Sequence, residues 1–398
     1  MSTTRDGRPG RRALRLAAAL AVTVAVALLA AGCGSSKKSS SSGGGGGPGV
    51  AAAKEKVAAL AKPTTSFPPP GPQLKNVKSL SGKTVWYIPI TDKVEFFQAV
   101  TSGLRTALGK AGVQLKTCSG EANPSATAAC VNQAVNARAG AVIVDAIPIA
   151  VAAQAFEAAK ASNIPVLVTD QDAPPPGVPG AVKGIGDSKL AYTITALDLQ
   201  KAAADWIIAD SNGKANVLVS ELTDSPSTQA WIEKGALGEF KTYCPGCKST
   251  LSKINIASLQ LVPSKTSSDL LRNQDTNYVL AEFDATLQPI QAGVQTAGFA
   301  KKVKAVSSSG LLGPLQQIKS GGFVHADVGI DYAYQGWAIA DEVFRMMLGQ
   351  PPTVEKVPNR LFTKENVGSL KLTPAAEATG EWFGSTDFES MFTKLWGL

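Results

Sequence analysis

The sequence predicts an α/β protein of two Rossmann-like lobes, each a parallel doubly wound sheet, with a cleft between them. Three observations carry this. Short runs that are apolar throughout, such as 84–90 and 141–144, alternate with segments of helical spacing, and strands apolar on both faces imply parallel pairing with helices covering both sides of the sheet. The alternation runs through two successive series. The stretch from Gly82 onward is also about 300 residues long, which exceeds one domain of roughly 100–200 residues.

In the first series, strands are expected at 84–90, 113–117, 141–144 and 165–169, the last ending at Asp170. Helices are expected between them at 96–111, 124–139 and 150–161, with Pro124 near a first turn, where a missing N–H is harmless. The second series opens with a helix over 189–209. Strands follow at 216–220, about 252–257, 278–282, 303–307 and 323–328, and helices at 227–243, 267–272, 286–297, 312–319 and 332–348. Solutes bind outside the carboxyl ends of parallel strands, so two such series point to a cleft where those ends face one another.

Before the fold lies an export address. Arg5, Arg8, Arg11, Arg12 and Arg15 precede an apolar stretch over 16–31 that is short and alanine-rich for a membrane span, the pattern of a secretory signal. Arg11-Arg12 matches a twin-arginine signal only loosely, and the general export route is expected. Removing 1–32 takes away five Arg and Asp6, so the formal net charge falls from +8 to +4. The remaining basic residues form only short pairs such as Lys301-Lys302, which is no footprint for nucleic acid. Lys37 and Lys38 are placed to meet anionic headgroups. Residues 34–49 are a flexible Ser/Gly tether, 51–62 an alanine-rich helical pattern and 63–72 an extended proline-rich lead-in expected on a lobe surface.

Four cysteines follow Cys33, an even number in an oxidising compartment, which favours two disulfides. Cys118 and Cys130 flank a short loop whose closure is worth ~3 kcal/mol. Cys244-Pro245-Gly246-Cys247 has two readings, a stapled tight turn or a redox pair. Zinc would need two further ligands, and His325, the single histidine, is far away in sequence and reads as a strand-end residue. No G-x-S-x-G, H-E-x-x-H or P-loop motif occurs, so hydrolysis has no obvious machinery and no cofactor is expected.

Two resemblances sharpen this. Leu28-Leu29-Ala30-Ala31-Gly32 before Cys33 resembles the lipobox of bacterial lipoproteins, with Ala30 where that family usually has Leu. It implies cleavage before Cys33, lipidation of its sulfur and anchoring outside the cell membrane; ordinary cleavage near Ala31 is the alternative. The body resembles the sugar-type, ribose-binding-like periplasmic binding proteins of ABC importers over roughly 82–372. The segments that carry it are Lys83 to Ile90 with Phe96-Phe97 and Gly103, Asn123-Pro124 with Gln133, Ala141 to Asp145, Asn163 to Val166 leading to Asp170, Gly186-Asp187, Glu233-Lys234-Gly235, Gly336 and Leu348-Gly349.

The resemblance implies a Venus-flytrap fold with a three-crossover hinge. Lobe one is then 82–186 plus 331–352 and lobe two 187–330 plus 353–372, with 373–398 an aromatic extension packed on a lobe. It implies a monomeric receptor that captures a small solute and delivers it to an ABC permease, or else docks on a sensory receptor. Ligand-binding positions fall on Phe96, Phe97, Asp170, Trp231, Phe283, Asp284, Ser309 and Asp331. Asp170, at a strand end facing the cleft, is the central expectation. One of Phe96 and Phe97 should face the cleft and the other the core, and Trp231 is either a lid or interface packing. Ile232 and Ser309 stand where ribose-type binders carry Arg and Asp; with the added rings, this implies a solute less hydroxylated than a free pentose or hexose. Asp92 and Asp145 read as solvated turn residues.

Overall fold

The computed structural model describes residues 47–398; the expected signal over 1–32 and the expected lipidation of Cys33 lie outside the described residues. The chain runs α1 (Pro48–Leu60), β1 (Thr84–Pro89), α2 (Glu95–Lys110), β2 (Gln114–Thr117), α3 (Pro124–Asn136), β3 (Ala141–Asp145), α4 (Ala153–Ala161), β4 (Val166–Thr169) and β5 (Leu190–Thr193). It continues through α5 (Leu197–Asp210), β6 (Asn216–Leu222), α6 (Pro226–Ala230), α7 (Leu237–Tyr243), β7 (Lys248–Ile254), α8 (Val262–Arg272), β8 (Tyr278–Leu280), α9 (Leu287–Thr296) and β9 (Lys304–Ser309). Last come α10 (Leu312–Ser320), β10 (Val324–Ile330), α11 (Tyr332–Met347), β11 (Asn359–Thr363), α12 (Lys364–Val367), α13 (Pro374–Thr379) and α14 (Phe388–Leu395).

The strands form two sheets. The first has the order β2-β1-β3-β4-β5, all parallel, and the second β11-β10-β9-β8-β6-β7, parallel except for β11. β3 and β4 are buried at every position, as strands covered by helices on both faces must be. The chain passes between the sheets three times: after β5, at Asp331 between β10 and α11, and between α11 and β11.

Two local expectations are corrected in the second half. The helix predicted over 189–209 begins only at Leu197, and Leu190–Thr193 instead pairs with β4 as the fifth strand of the first sheet. The boundary between the sheets therefore falls after Thr193, and not after Gly186. A side-chain turn sets this up, because Asp187 Oδ1 accepts Lys189 N–H at 2.7 Å and Leu190 N–H at 3.2 Å and turns the chain into the strand. The strand expected at 252–257 is β7, which starts at Lys248. It lies at the sheet edge, with most of its side chains at least partly open to water, so its apolar pattern is weak.

Helices α2 and α11 pack against one another on the first sheet. Gly103 and Gly336 meet at the crossing, where a Cβ on Gly103 would lie 2.8 Å from Ala333 O and one on Gly336 would run into the Gly103–Leu104 backbone. Backbone-to-backbone contact of this kind fixes the angle at which both helix N-termini reach the interlobe gap.

The two ends of the described chain behave differently from the expectation of packing on one lobe. Helix α1 lies on α5 and α7 beside the second sheet, with Lys56 Nζ reaching Asp205 at 3.2 Å and Glu239 at 3.0 Å. The lead-in then crosses to the first lobe, where Phe67 stacks on Tyr334 of α11 at 5.3 Å between ring centroids. The C-terminal extension makes the same crossing. Trp382 and Phe383 are buried with Phe362 in the second-sheet core, whereas Phe388, Phe392 and Trp396 pack on α11 around Trp337. The two segments are tied together by Thr64 N–H to Phe383 O at 2.8 Å, Ser385 N–H to Thr64 O at 3.0 Å and Leu74 N–H to Leu395 O at 2.8 Å.

Candidate functional site

The carboxyl ends of both sheets face one cavity of about 80 Å³. From the first lobe come Ile90 after β1, Phe96 and Phe97 on the first turn of α2, Asp170 after β4, and Tyr332 at the start of α11. From the second come Leu222 at the end of β6, Asp224 and Ser225 just after it, Thr228 and Trp231 on the helical run that follows, and Phe283 after β8. Phe96 and Phe97 both line the cavity, with ring centroids 3.9 Å apart, so the expectation that one faces the core is corrected. At a helix N-terminus neighbouring side chains are not yet separated by packed turns, and both rings reach forward. Phe96 also lies 5.1 Å from Tyr332, and Trp231 meets Phe283 edge-on at 6.2 Å.

Asp170 is held by its neighbours rather than by solvent. Its backbone is left-handed at φ 53°, and its Oδ2 accepts Gln335 Nε2 of α11 at 2.7 Å and Thr169 Oγ1 at 3.3 Å. Behind it, Asp145 accepts the Tyr87 hydroxyl. Burial, then the charge of Asp170, pushes Asp145 well above the usual carboxylate range. Asp145 is fully buried and is not the solvated turn residue expected. Burial also lifts Asp170, to about 6, against the hydrogen bonds from Asp145, Gln335 and Thr169. Asp224 is raised by burial too, opposed by Ile256 N–H at 3.1 Å. Asp92 is exposed.

The remaining sequence-derived positions lie outside the cavity lining. Asp284 accepts Ser307 Oγ at 2.6 Å and Leu311 N–H at 3.0 Å, and it pairs with Asp327, whose Oδ1 takes Gly310 N–H at 3.1 Å. It braces the turn after β9. Ser309 is buried at the end of β9 with φ 147°, against the Tyr332 hydroxyl. Asp331 caps α11 through Tyr334 N–H at 3.0 Å, and its carboxyl lies against Gly380 of the C-terminal extension. His325 Nδ1 is engaged with Phe323 O at 3.0 Å.

Asp224 and Tyr332 are lining residues that the sequence reading passed over. Asp224 carried the same signal as Asp170, an acid just beyond a buried strand. Tyr332 was masked by its neighbour Asp331, which the pattern favoured.

Three hydrogen bonds cross the mouth of the cavity between the lobes. Gln171 Nε2 donates to Ser225 Oγ at 3.2 Å, Asp172 N–H to Ser227 Oγ at 3.0 Å, and Trp231 Nε1 to Asp172 Oδ2 at 2.8 Å. Trp231 is therefore both a wall and a latch. The receiving side is prepared locally, because Ser225 and Thr228 form a capping box at α6 with Pro226 in its first turn.

Both disulfides form, Cys118–Cys130 and Cys244–Cys247. Cys244 is buried and sits at the C-terminal end of α7, where the helix dipole disfavours a thiolate. The position suits a staple. Among the described residues no helix is long and apolar enough to cross a membrane.

The family described as periplasmic binding protein domain matches residues 85–351, about two thirds of the chain. Solved structures share the fold at low identity. An ABC transporter solute-binding protein from Agrobacterium vitis bound to α-D-tagatopyranose is 19% identical, with a TM-score of 0.64 over 74% of this chain and 97% of that one. A 5-methylthioribose transporter solute-binding protein from Thermotoga lettingae is 17% identical, with a TM-score of 0.64 over 78% and 96%. A Caulobacter myo-inositol binding protein is 20% identical, with a TM-score of 0.62 over 72% and 95%. No protein of curated function matches the sequence.

Proposed function

The chain belongs to the periplasmic binding protein domain family, a family of binding proteins rather than enzymes, and from that premise we propose that it is a lipid-anchored extracytoplasmic receptor that captures one small solute between its lobes. The observation that carries this is the cavity itself. It is lined from both sheets and bridged at its mouth by Gln171, Asp172 and Trp231, so a solute inside would touch both lobes and favour the closed form. Structural neighbours include proteins of ABC transporters, which supports delivery of the solute to a membrane permease.

Phe96, Phe97, Asp170, Trp231 and Phe283 are proposed to contact the solute, together with Asp224 and Tyr332. Five aromatic residues around one cavity fit a solute less hydroxylated than a free hexose, and one neighbour binds the thioether sugar 5-methylthioribose. The three crossovers serve as the hinge, with lobe one carried by the first sheet plus α11 and lobe two by the second. The Ser/Gly segment after Cys33 lets this body open, close and dock while anchored.

Mass spectrometry of small molecules released from the purified protein tests the receptor reading, and a defined solute released in stoichiometric amount is the expected result. The anchor is tested separately. Cys33→Ser should move the protein from the membrane fraction to the medium or periplasm, and an unchanged distribution refutes lipidation there.

A further inference from the structure

The cavity wall offers aromatic faces and hydrogen-bond acceptors, and its formal charges are all negative. Asp170 enters from one lobe and Asp224 from the other, and no Lys, Arg or His stands among the lining residues. Few of the lining donors are free. Ser225 Oγ receives Thr228 N–H and Gln171 Nε2, and Thr228 Oγ1 donates to Leu222 O at 2.8 Å. The Trp231 indole N–H is given to Asp172, and the Tyr332 hydroxyl lies against Ser309. What remains to meet a solute is carboxylate oxygen, ring and aliphatic surface, and the Ser225 and Tyr332 hydroxyls.

That inventory discriminates between solute classes. Every hydroxyl of a polyol brings acceptor lone pairs that need donors once water is excluded, and this wall has few to give. A protonated amine brings donors only and a quaternary ammonium neither donor nor acceptor, and both bring the charge that complements the two half-buried carboxylates. The methyl or methylene envelope carries the positive charge onto the faces of Phe96, Phe97, Trp231, Phe283 and Tyr332, where the ring quadrupole attracts it. The cavity, about 80 Å³, holds roughly five water-sized groups at ~15 Å³ each, which sets a compact body.

Building on the receptor reading above, we propose that the solute is a small organic cation, an amine or quaternary ammonium with a compact apolar body, whose charged end faces Asp170 and Asp224. Burial lifts Asp170 to about 6, and a cation beside it would lower that value again.

Calorimetric titration of the full mature chain with paired probes tests this. Choline is compared with its neutral carbon isostere 3,3-dimethylbutanol, isoamylamine with isoamyl alcohol, and both pairs with D-ribose and myo-inositol. Each cation is expected to bind at least about tenfold tighter than its neutral partner. Asp170→Asn and Asp224→Asn, checked for unchanged melting behaviour, should each lower the cation's affinity by about tenfold more than the neutral partner's. Equal binding of cation and isostere, tighter binding of either polyol, or cation binding indifferent to both substitutions overturns the proposal. The two levels fail separately. A polyol that binds and compacts the protein in small-angle scattering sinks the cation and leaves the receptor standing. If no probe binds and no small molecule is released from the purified protein, both fall.

Discussion

Asp172 joins the lobes with two different groups, its backbone N–H to Ser227 and its carboxylate to the Trp231 indole, although it lies outside the cavity lining. Asp172→Ala keeps the first bond and removes the second. A hydrogen bond to a charged acceptor at a partly solvated site predicts a three- to tenfold loss of affinity for the solute recovered from the protein, about 1 kcal/mol; a fluorescence titration with unchanged affinity would show that the latch is passive. The buried acids set the pH response of the solute-free protein. Asp170, Asp205 and Asp284 are raised to about 6, and Asp331 and Glu342 to about 7, in each case by burial first. A raised folded-state pKa means that the folded form binds protons more tightly than the unfolded one. Its stabilisation is present at low pH and lost as pH rises through 6–7. The melting temperature of the solute-free protein should therefore rise between about pH 8 and about pH 5, and a fall over that interval would refute the assignment. Asp170 was legible as a strand-end acid, but the same signal marked Asp284 and Asp331, and only packing against Ser307, Leu311 and Tyr334 separates a structural carboxylate from one that faces a cavity.

At the scale of elements, α2 and α11 deliver three of the five cavity rings, and their spacing depends on Gly103 and Gly336. Gly336→Ala forces a methyl group into the Gly103–Leu104 backbone. Overpacking of this kind costs about 1–3 kcal/mol, and the shift should reach Phe96, Phe97 and Tyr332, lowering both denaturant midpoint and solute affinity. A stability loss with unchanged affinity would mean that the helix crossing does not position the site. Buried strands such as β3 and β4 were readable because both faces are apolar. β5 was not, since Leu190 to Thr193 is too short to show a period and runs close to a true helix. β7 was displaced for the opposite reason, because an edge strand keeps polar residues toward water.

For the whole molecule, three crossovers are joined by two further ties, the lead-in and the C-terminal extension. Each has one end in the core beside the second sheet and the other on α11. A strap of this kind is expected to limit how far the lobes can part. Phe67→Ala removes the stacking on Tyr334 and the edge contact with Phe388 at 5.5 Å, while leaving cavity and hinge intact. Small-angle scattering should then show a larger radius of gyration for the solute-free protein and no change for the solute-loaded one. Equal expansion of both would mean local loosening, and no expansion of either would rule out a strap.

The sequence by itself determined the class of the molecule. Paired cysteines and two runs of alternating apolar strands and helices are local patterns, each written within a few tens of residues. The tertiary structure decided which side chains meet. Asp224, Tyr332 and Trp231 come from segments far apart in the chain, and the latch between Asp172 and Trp231 joins two lobes that no local period relates. The path of the extension was decided the same way. Its aromatic residues announced burial, but a hydrophobic residue carries no address, and only the shape of the two cores placed Trp382 in one and Trp396 in the other.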